Sequence, residues 1–146
     1  EALDEFIAIN RRNHRIYTEA LAQLPGITVC QYPEGEEANY QYVILEIDPA
    51  RSPLTRDELH RVLTAENVLA RRYFYPGCHR MEPYASSGLK YNLPVTERLS
   101  QQVLALPTGT SIGLREIETI TSLFRQALTQ AEEVRAALKA PDYAPV

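Results

Sequence analysis

Apolar residues recur at three- and four-residue steps from Leu3 through Phe6, Ile7, Tyr17 and Leu21 to Leu24, with Asn10 as a lapse. That period marks one face of an amphipathic helix, and Pro25-Gly26 ends it. Residues 27–30 form a short β-branched run and residues 40–47 a longer one, closed by Asp48-Pro49, so both read as strands. In the longer run both alternating faces are apolar or aromatic, which predicts a central strand covered on its two sides. Thr55 followed three residues on by Glu58 fits a capping box and starts a helix over 55–64. Residues 68–73 are strand-like up to Pro76-Gly77. Residues 75–94, rich in proline, glycine and serine, read as a long ordered loop. Pro94 opens a short helix to about residue 103, residues 104–107 are briefly extended, and the spacing of Ile117, Ile120, Phe124, Leu128, Val134 and Leu138 predicts one long helix over 114–138.

These elements specify an α+β domain, a small and mainly antiparallel three-stranded sheet covered by helices, over residues 1–140, with residues 141–146 as a frayed tail. The chain has 146 residues, 45% of them hydrophobic, which suits one core rather than two.

A formal net charge of -4 argues against a general nucleic-acid binder, which needs a basic surface to displace counterions. No apolar run approaches the length of a membrane span, and the expected location is the cytoplasm. Cys30 and Cys78, the two cysteines, are expected to be free thiols rather than a disulfide framework or zinc site.

Against this acidic background, residues 71–84 stand out. Arg71, Arg72, Arg80 and the later Lys90 face a single carboxylate, Glu82, and are interleaved with Tyr73, Phe74, Tyr75, Tyr84 and Tyr91. Arginine forks match phosphate oxygens, and flat rings accept a base or sugar, so a nucleotide diphosphate would use both. A purely structural use is equally open: the rings would pack the loop onto the sheet and the arginines would pair with acidic helices. His79 could hydrogen-bond a ligand or shuttle a proton, whereas His14 and His60 sit within helices, where surface or packing roles are expected. No Ser/His/Asp or Cys/His nucleophile arrangement and no phosphate-cradling glycine motif is evident.

Residues 69–84, Leu-Ala-Arg-Arg-Tyr-Phe-Tyr-Pro-Gly-Cys-His-Arg-Met-Glu-Pro-Tyr, resemble the C-terminal signature of the DegT/DnrJ/EryC1/StrS aminotransferases. Residues 93–99 and 103–109 are similar to that family's next two blocks, in the same order, and Arg11-Arg12-Asn13 through Ile27 is similar to its passage from large to small domain. The resemblance implies the C-terminal small domain of a fold type I enzyme dependent on pyridoxal 5'-phosphate (PLP). Such enzymes pass an amino group from glutamate to a nucleotide-linked keto-deoxysugar, and are homodimers with active sites at the subunit interface. It also implies that the loop with His79 lies near the sugar-nucleotide site, which makes Tyr75, His79, Arg80 and Tyr84 the candidate substrate-binding residues. The family's cofactor lysine belongs to the large PLP-binding domain, and Lys90 and Lys139 lack its motif. This stretch alone is therefore expected to bind no PLP, to carry no catalytic residue and to be inactive. A few relatives are dehydratases that replace the lysine. The alternative reading is a free-standing ligand-binding or regulatory α+β module without catalysis.

Overall fold

The computed structural model describes residues 2–139; the predicted tail and the boundary at residue 140 lie outside the described residues. The order is α1 (Ala2–Leu21), β1 (Ile27–Val29), β2 (Val43–Ile47), α2 (Arg56–Ala65), a 3₁₀ turn (Cys78–Arg80), α3 (Pro94–Gln102), β3 (Val103–Leu106), α4 (Leu114–Thr129) and α5 (Ala131–Lys139). The sheet runs β1-β2-β3 with both pairings antiparallel, Ile27 facing Ile47 and Leu45 facing Leu104. The predicted α+β class and the central place of the second strand hold.

The third strand is not where the residue pattern put it. Residues 68–73 make only one isolated bridge, Arg71 to Ala105, on the outer edge of β3. Val103–Leu106, expected as a brief extended segment, is the strand, and all four of its residues are buried. A strand covered on both faces reads as a uniform apolar run, and leucine and alanine carry no β preference, so burial rather than propensity decides it.

Two helix boundaries also move. A turn from Leu24 N–H to Leu21 O ends α1 three residues early, and Gly26 follows at φ 70°, where an added methyl would lie 2.3 Å from the Ser52 backbone nitrogen. The predicted 114–138 helix breaks at Gln130. The break turns α5 against α2, where Arg61 Nη2 donates to the Leu138 carbonyl at 2.8 Å and Arg135 reaches Glu58 at 3.3 Å. A one-residue break leaves the apolar spacing unchanged, so periodicity does not reveal it.

Tyr17 and Leu21 of α1, Leu45 and Leu104 of the sheet, Leu59 and Leu63 of α2, and Ile117 and Phe124 of α4 form one core on one sheet face. Each such side chain contributes about 1.5 to 3 kcal/mol when fully buried. On the other face α3 packs against β2, and Arg98 of α3 pairs with Glu46. Helix α2 begins at the predicted capping box: Thr55 Oγ1 accepts from the Glu58 N–H at 3.2 Å, and Glu58 accepts from the Thr55 N–H at 2.8 Å. Burial pushes the Glu58 carboxyl up, but the Thr55 hydrogen bonds and the Arg135 guanidinium outweigh it and hold it below its usual range. Cys30 and Cys78 are exposed free thiols. No described helix is long and apolar enough to cross a membrane.

Candidate functional site

The basic, aromatic segment leaves the edge of β3 at Arg71 and returns to α3 at Pro94, so its two ends are anchored by α2 and α3. At the first anchor Arg56, with a side chain 1% exposed, donates from Nε to Asp57 Oδ1 at 2.8 Å and from Nη1 to the Val103 carbonyl at 2.9 Å. Its guanidinium lies 5.2 Å from the centre of the Tyr75 ring, and that of Arg72 lies 4.7 Å from the same ring. Asp57 also pairs with Arg72 at 3.7 Å. One tyrosine thus carries two cations, each attracted to its π face, and one half-exposed aspartate offsets them.

His60, one turn along α2 from Arg56, is shifted below its ordinary pKa, first by burial and then by the Arg72 charge, against a hydrogen bond with the Ala70 backbone. The neutral imidazole is therefore favoured beside the arginines.

At the second anchor residues 78–80 form the 3₁₀ turn, closed by Arg80 N–H to Gly77 O and Met81 N–H to Cys78 O, each at 3.0 Å. Glu97, in the first turn of α3, places Oε1 3.2 Å from Arg80 Nη2 and 3.5 Å from His79 Nε2. The hydrogen bond and charge of Arg80, and after them the nearby His79, hold the Glu97 carboxyl below its usual range. The His79 side chain is 8% exposed and turned inward. Gly77, at φ 95°, lies against its ring, where an added methyl would be 2.9 Å from Cε1. The Tyr91 ring stands edge-on at 6.2 Å.

Of the four candidate residues, the structure brings His79 and Arg80 together on Glu97 and places Tyr75 in the Arg56–Arg72 cluster. Tyr84, 53% exposed, joins neither. The predicted pairing of arginines with acidic helices occurs at both anchors, yet it leaves a face of Tyr75, Arg80 and Tyr84 open to solvent. Residue pattern alone missed Arg56, Asp57 and Glu97. Arg56 and Asp57 lie inside the Thr55–Glu58 capping box, and Glu97 lies within the helix that Pro94 opens, so none of the three stands out in sequence. An open hollow of about 300 Å³ lies elsewhere, along α1, lined by Arg11, His14, Tyr32 and Tyr40. Its rings pack on one another and Arg11 covers Tyr40 at 5.0 Å, so its aromatic faces are used internally.

The sequence profile of the DegT/DnrJ/EryC1/StrS aminotransferase family matches residues 1–125. The chain belongs to this family. It is 30% identical over 129 residues to a dTDP-4-amino-4,6-dideoxy-D-glucose transaminase of Shigella dysenteriae, covering 86% of this chain and 34% of that protein. It is 32% identical over 110 residues to the Escherichia coli enzyme of the same name, covering 74% and 29%. The crystal structure of DesI in the presence of its TDP-sugar product superposes with a TM-score of 0.87 at 45% identity, over 95% of this chain and 35% of DesI. The Helicobacter pylori aminotransferase PseC, at 11% identity and a TM-score of 0.76, shares the fold. This family member spans about a third of the length of the curated relatives it matches.

PLP chemistry needs a lysine whose amine is activated by burial or a cationic neighbour, and a cup for the phosphate. Lys90 and Lys139 of this chain are both exposed, one in a loop and one at the end of α5. Neither of these two lysines is the buried, activated amine that the cofactor needs. Among the described residues no group of His, Cys, Asp and Glu could hold a metal ion.

Proposed function

We propose that the full-length protein transfers an amino group from glutamate to the keto carbon of a nucleotide-linked deoxysugar. This chain is its small domain, and the cofactor is held by a large domain outside it, in a homodimer. The reading is carried by the likeness to DesI, a protein solved with its TDP-sugar product, across 95% of this chain, and it is supported by two relatives named as dTDP-amino-sugar transaminases.

In this reading residues 75–84 border the sugar-nucleotide site. Arg80 spends one nitrogen on Glu97, which leaves further guanidinium N–H groups for a phosphate oxygen. Tyr75 and Tyr84 supply apolar surface for the sugar or base, and His79 supports the turn from beneath. The chain's own task is to bind, orient and exclude water.

Arg80→Ala in the full-length enzyme tests it. Losing a hydrogen bond to a charged group costs about 1.5 to 3 kcal/mol, so kcat/KM for the keto-sugar should fall about tenfold to a hundredfold, with the glutamate half-reaction near normal. Unchanged sugar kinetics in a stable Arg80→Ala enzyme would remove the loop from the site. The 146-residue chain alone, treated with PLP and borohydride, should take no site-specific label, and a stoichiometric label at Lys90 with turnover would contradict the division of labour.

A further inference from the structure

We infer that Glu97 is a positioning residue for the substrate loop: a single carboxylate on α3 holds His79 and Arg80 together and so sets which face residues 78–84 present to the sugar nucleotide. The inference rests on the proposed placement of that loop at the sugar-nucleotide site. Three observations carry it. Glu97 Oε1 lies within ion-pair distance of both, 3.2 Å from Arg80 Nη2 and 3.5 Å from His79 Nε2. The His79 Nε2 atom is buried and makes no hydrogen bond of good geometry, so the nearby carboxylate is what compensates it. Gly77 packs so close to the ring that an added methyl would lie 2.9 Å from its Cε1, so the turn and the imidazole fit each other only with glycine there.

An exposed Arg–Glu pair contributes little by itself, and Arg80 and Glu97 are each about half exposed. The difference here is the buried third member. His79 and Arg80 are adjacent residues of one 3₁₀ turn, so tying both side chains to one oxygen fixes the rotation of the turn as well as its distance from α3. The lowered carboxyl of Glu97 agrees with a group kept charged by these partners. Arg80 is thereby aimed by a residue that need not touch the ligand. His79 works through Glu97 in the same way.

The test uses the full-length holoenzyme, with the keto-sugar and glutamate half-reactions measured separately, in Glu97→Ala, Glu97→Gln, His79→Ala, Arg80→Ala and the Glu97→Ala/His79→Ala double variant. Misplacing a binding group by about 1 Å can cost up to a hundredfold. Glu97→Ala should accordingly raise the sugar KM about tenfold or more, with the glutamate half-reaction within about twofold and the melting temperature nearly unchanged. Glu97→Gln, whose amide oxygen can still accept from Arg80, should recover part of the loss. The double variant should be no worse than Glu97→Ala alone, because His79 acts through Glu97.

An unchanged sugar KM in Glu97→Ala alongside a raised one in Arg80→Ala would overturn the positioning role and leave the loop at the site. Equal losses in both half-reactions with a lowered melting temperature would overturn it too, as the mark of a structural residue. If Arg80→Ala and Glu97→Ala both leave the sugar KM unchanged, it is the placement of the loop that fails, and the inference with it.

Discussion

Asn13→Asp is the sharpest probe of how α1 is fixed to the rest of the domain. Asn13 is fully buried. Its Nδ2 donates to the Gly109 carbonyl at 3.2 Å, the Ile112 carbonyl at 3.1 Å and Thr108 Oγ1 at 3.3 Å, while its Oδ1 accepts from Arg12 Nη2 at 2.9 Å. Tyr17, one turn on, adds a bond from its hydroxyl to the Pro107 carbonyl at 3.1 Å. The connection from β3 to α4 thus hangs on two side chains of α1. Aspartate has the same shape but offers no donor at neutral pH. The substitution removes the two hydrogen bonds to carbonyls, about 1 kcal/mol each, and leaves those carbonyls facing an anion, at about 1 to 3 kcal/mol apiece, while the Thr108 hydroxyl can turn to donate to it. Stronger pairing with Arg12 returns about 1 kcal/mol. A net loss of about 3 to 7 kcal/mol follows, roughly 10 °C or more in Tm for a domain of this size.

The pH dependence has a definite sign. The buried carboxyl, set against carbonyl oxygens, binds its proton at higher pH in the folded state than in the unfolded one, where its pKa is about 3.9. The deficit is complete above the raised folded value and shrinks as the pH falls through it, because a protonated carboxyl can donate again. Urea unfolding followed by circular dichroism at pH 7 and pH 5, against the parent chain and Asn13→Ala, reads both effects. A loss below about 1 kcal/mol at pH 7, or a deficit that grows on acidification, would refute the hydrogen-bond assignment.

Arg56→Met keeps the length of the side chain but removes its donors to Val103 and Asp57 and the cation over Tyr75. It should cost about 1 to 3 kcal/mol in urea unfolding, less than a broken fully buried pair because Asp57 can rehydrate, and equal or greater stability would show that relief of charge burial dominates. His60 is held neutral in the folded state, so the unfolded chain takes up its proton first as the pH drops below about 6.5. Stability should therefore fall through that window, and His60→Gln should flatten this part of the profile; an unaltered profile would reject the assignment. Thr55→Ala should lose about 1 kcal/mol through the cap, and it should raise the Glu58 carboxyl as seen by NMR titration.

Local chemistry was legible in the residues, and partners were not. The Thr55–Glu58 box starts α2 because both partners lie within one turn, and the charge contrast of residues 71–84 is visible wherever the chain goes. The third strand was misplaced because Val68-Leu69-Ala70 and Val103-Leu104-Ala105 read alike, and only the second is covered from both sides. Arg56 and Glu97 escaped notice for the same reason: each looks like ordinary helix-start polarity until the loop returns against it.

The lapse at Asn10 in the α1 stripe carries the more general point. Asn10 donates to the Asn39 carbonyl at 3.3 Å, and Asn13, one turn on, donates to Gly109 and Ile112. A buried backbone carbonyl in an irregular segment needs a donor, and Asn13 supplies one by taking a position on the buried face of α1 that an apolar residue would otherwise fill. Polar interruptions in an otherwise apolar stripe are thus better read as the points where irregular chain docks on the helix than as weak helix signal. On that reading the lapse at Asn10 marks a docking from the residues alone, whereas the part played by Asn13 and the docked chain itself, at Asn39 and at 109–112, had to come from the fold.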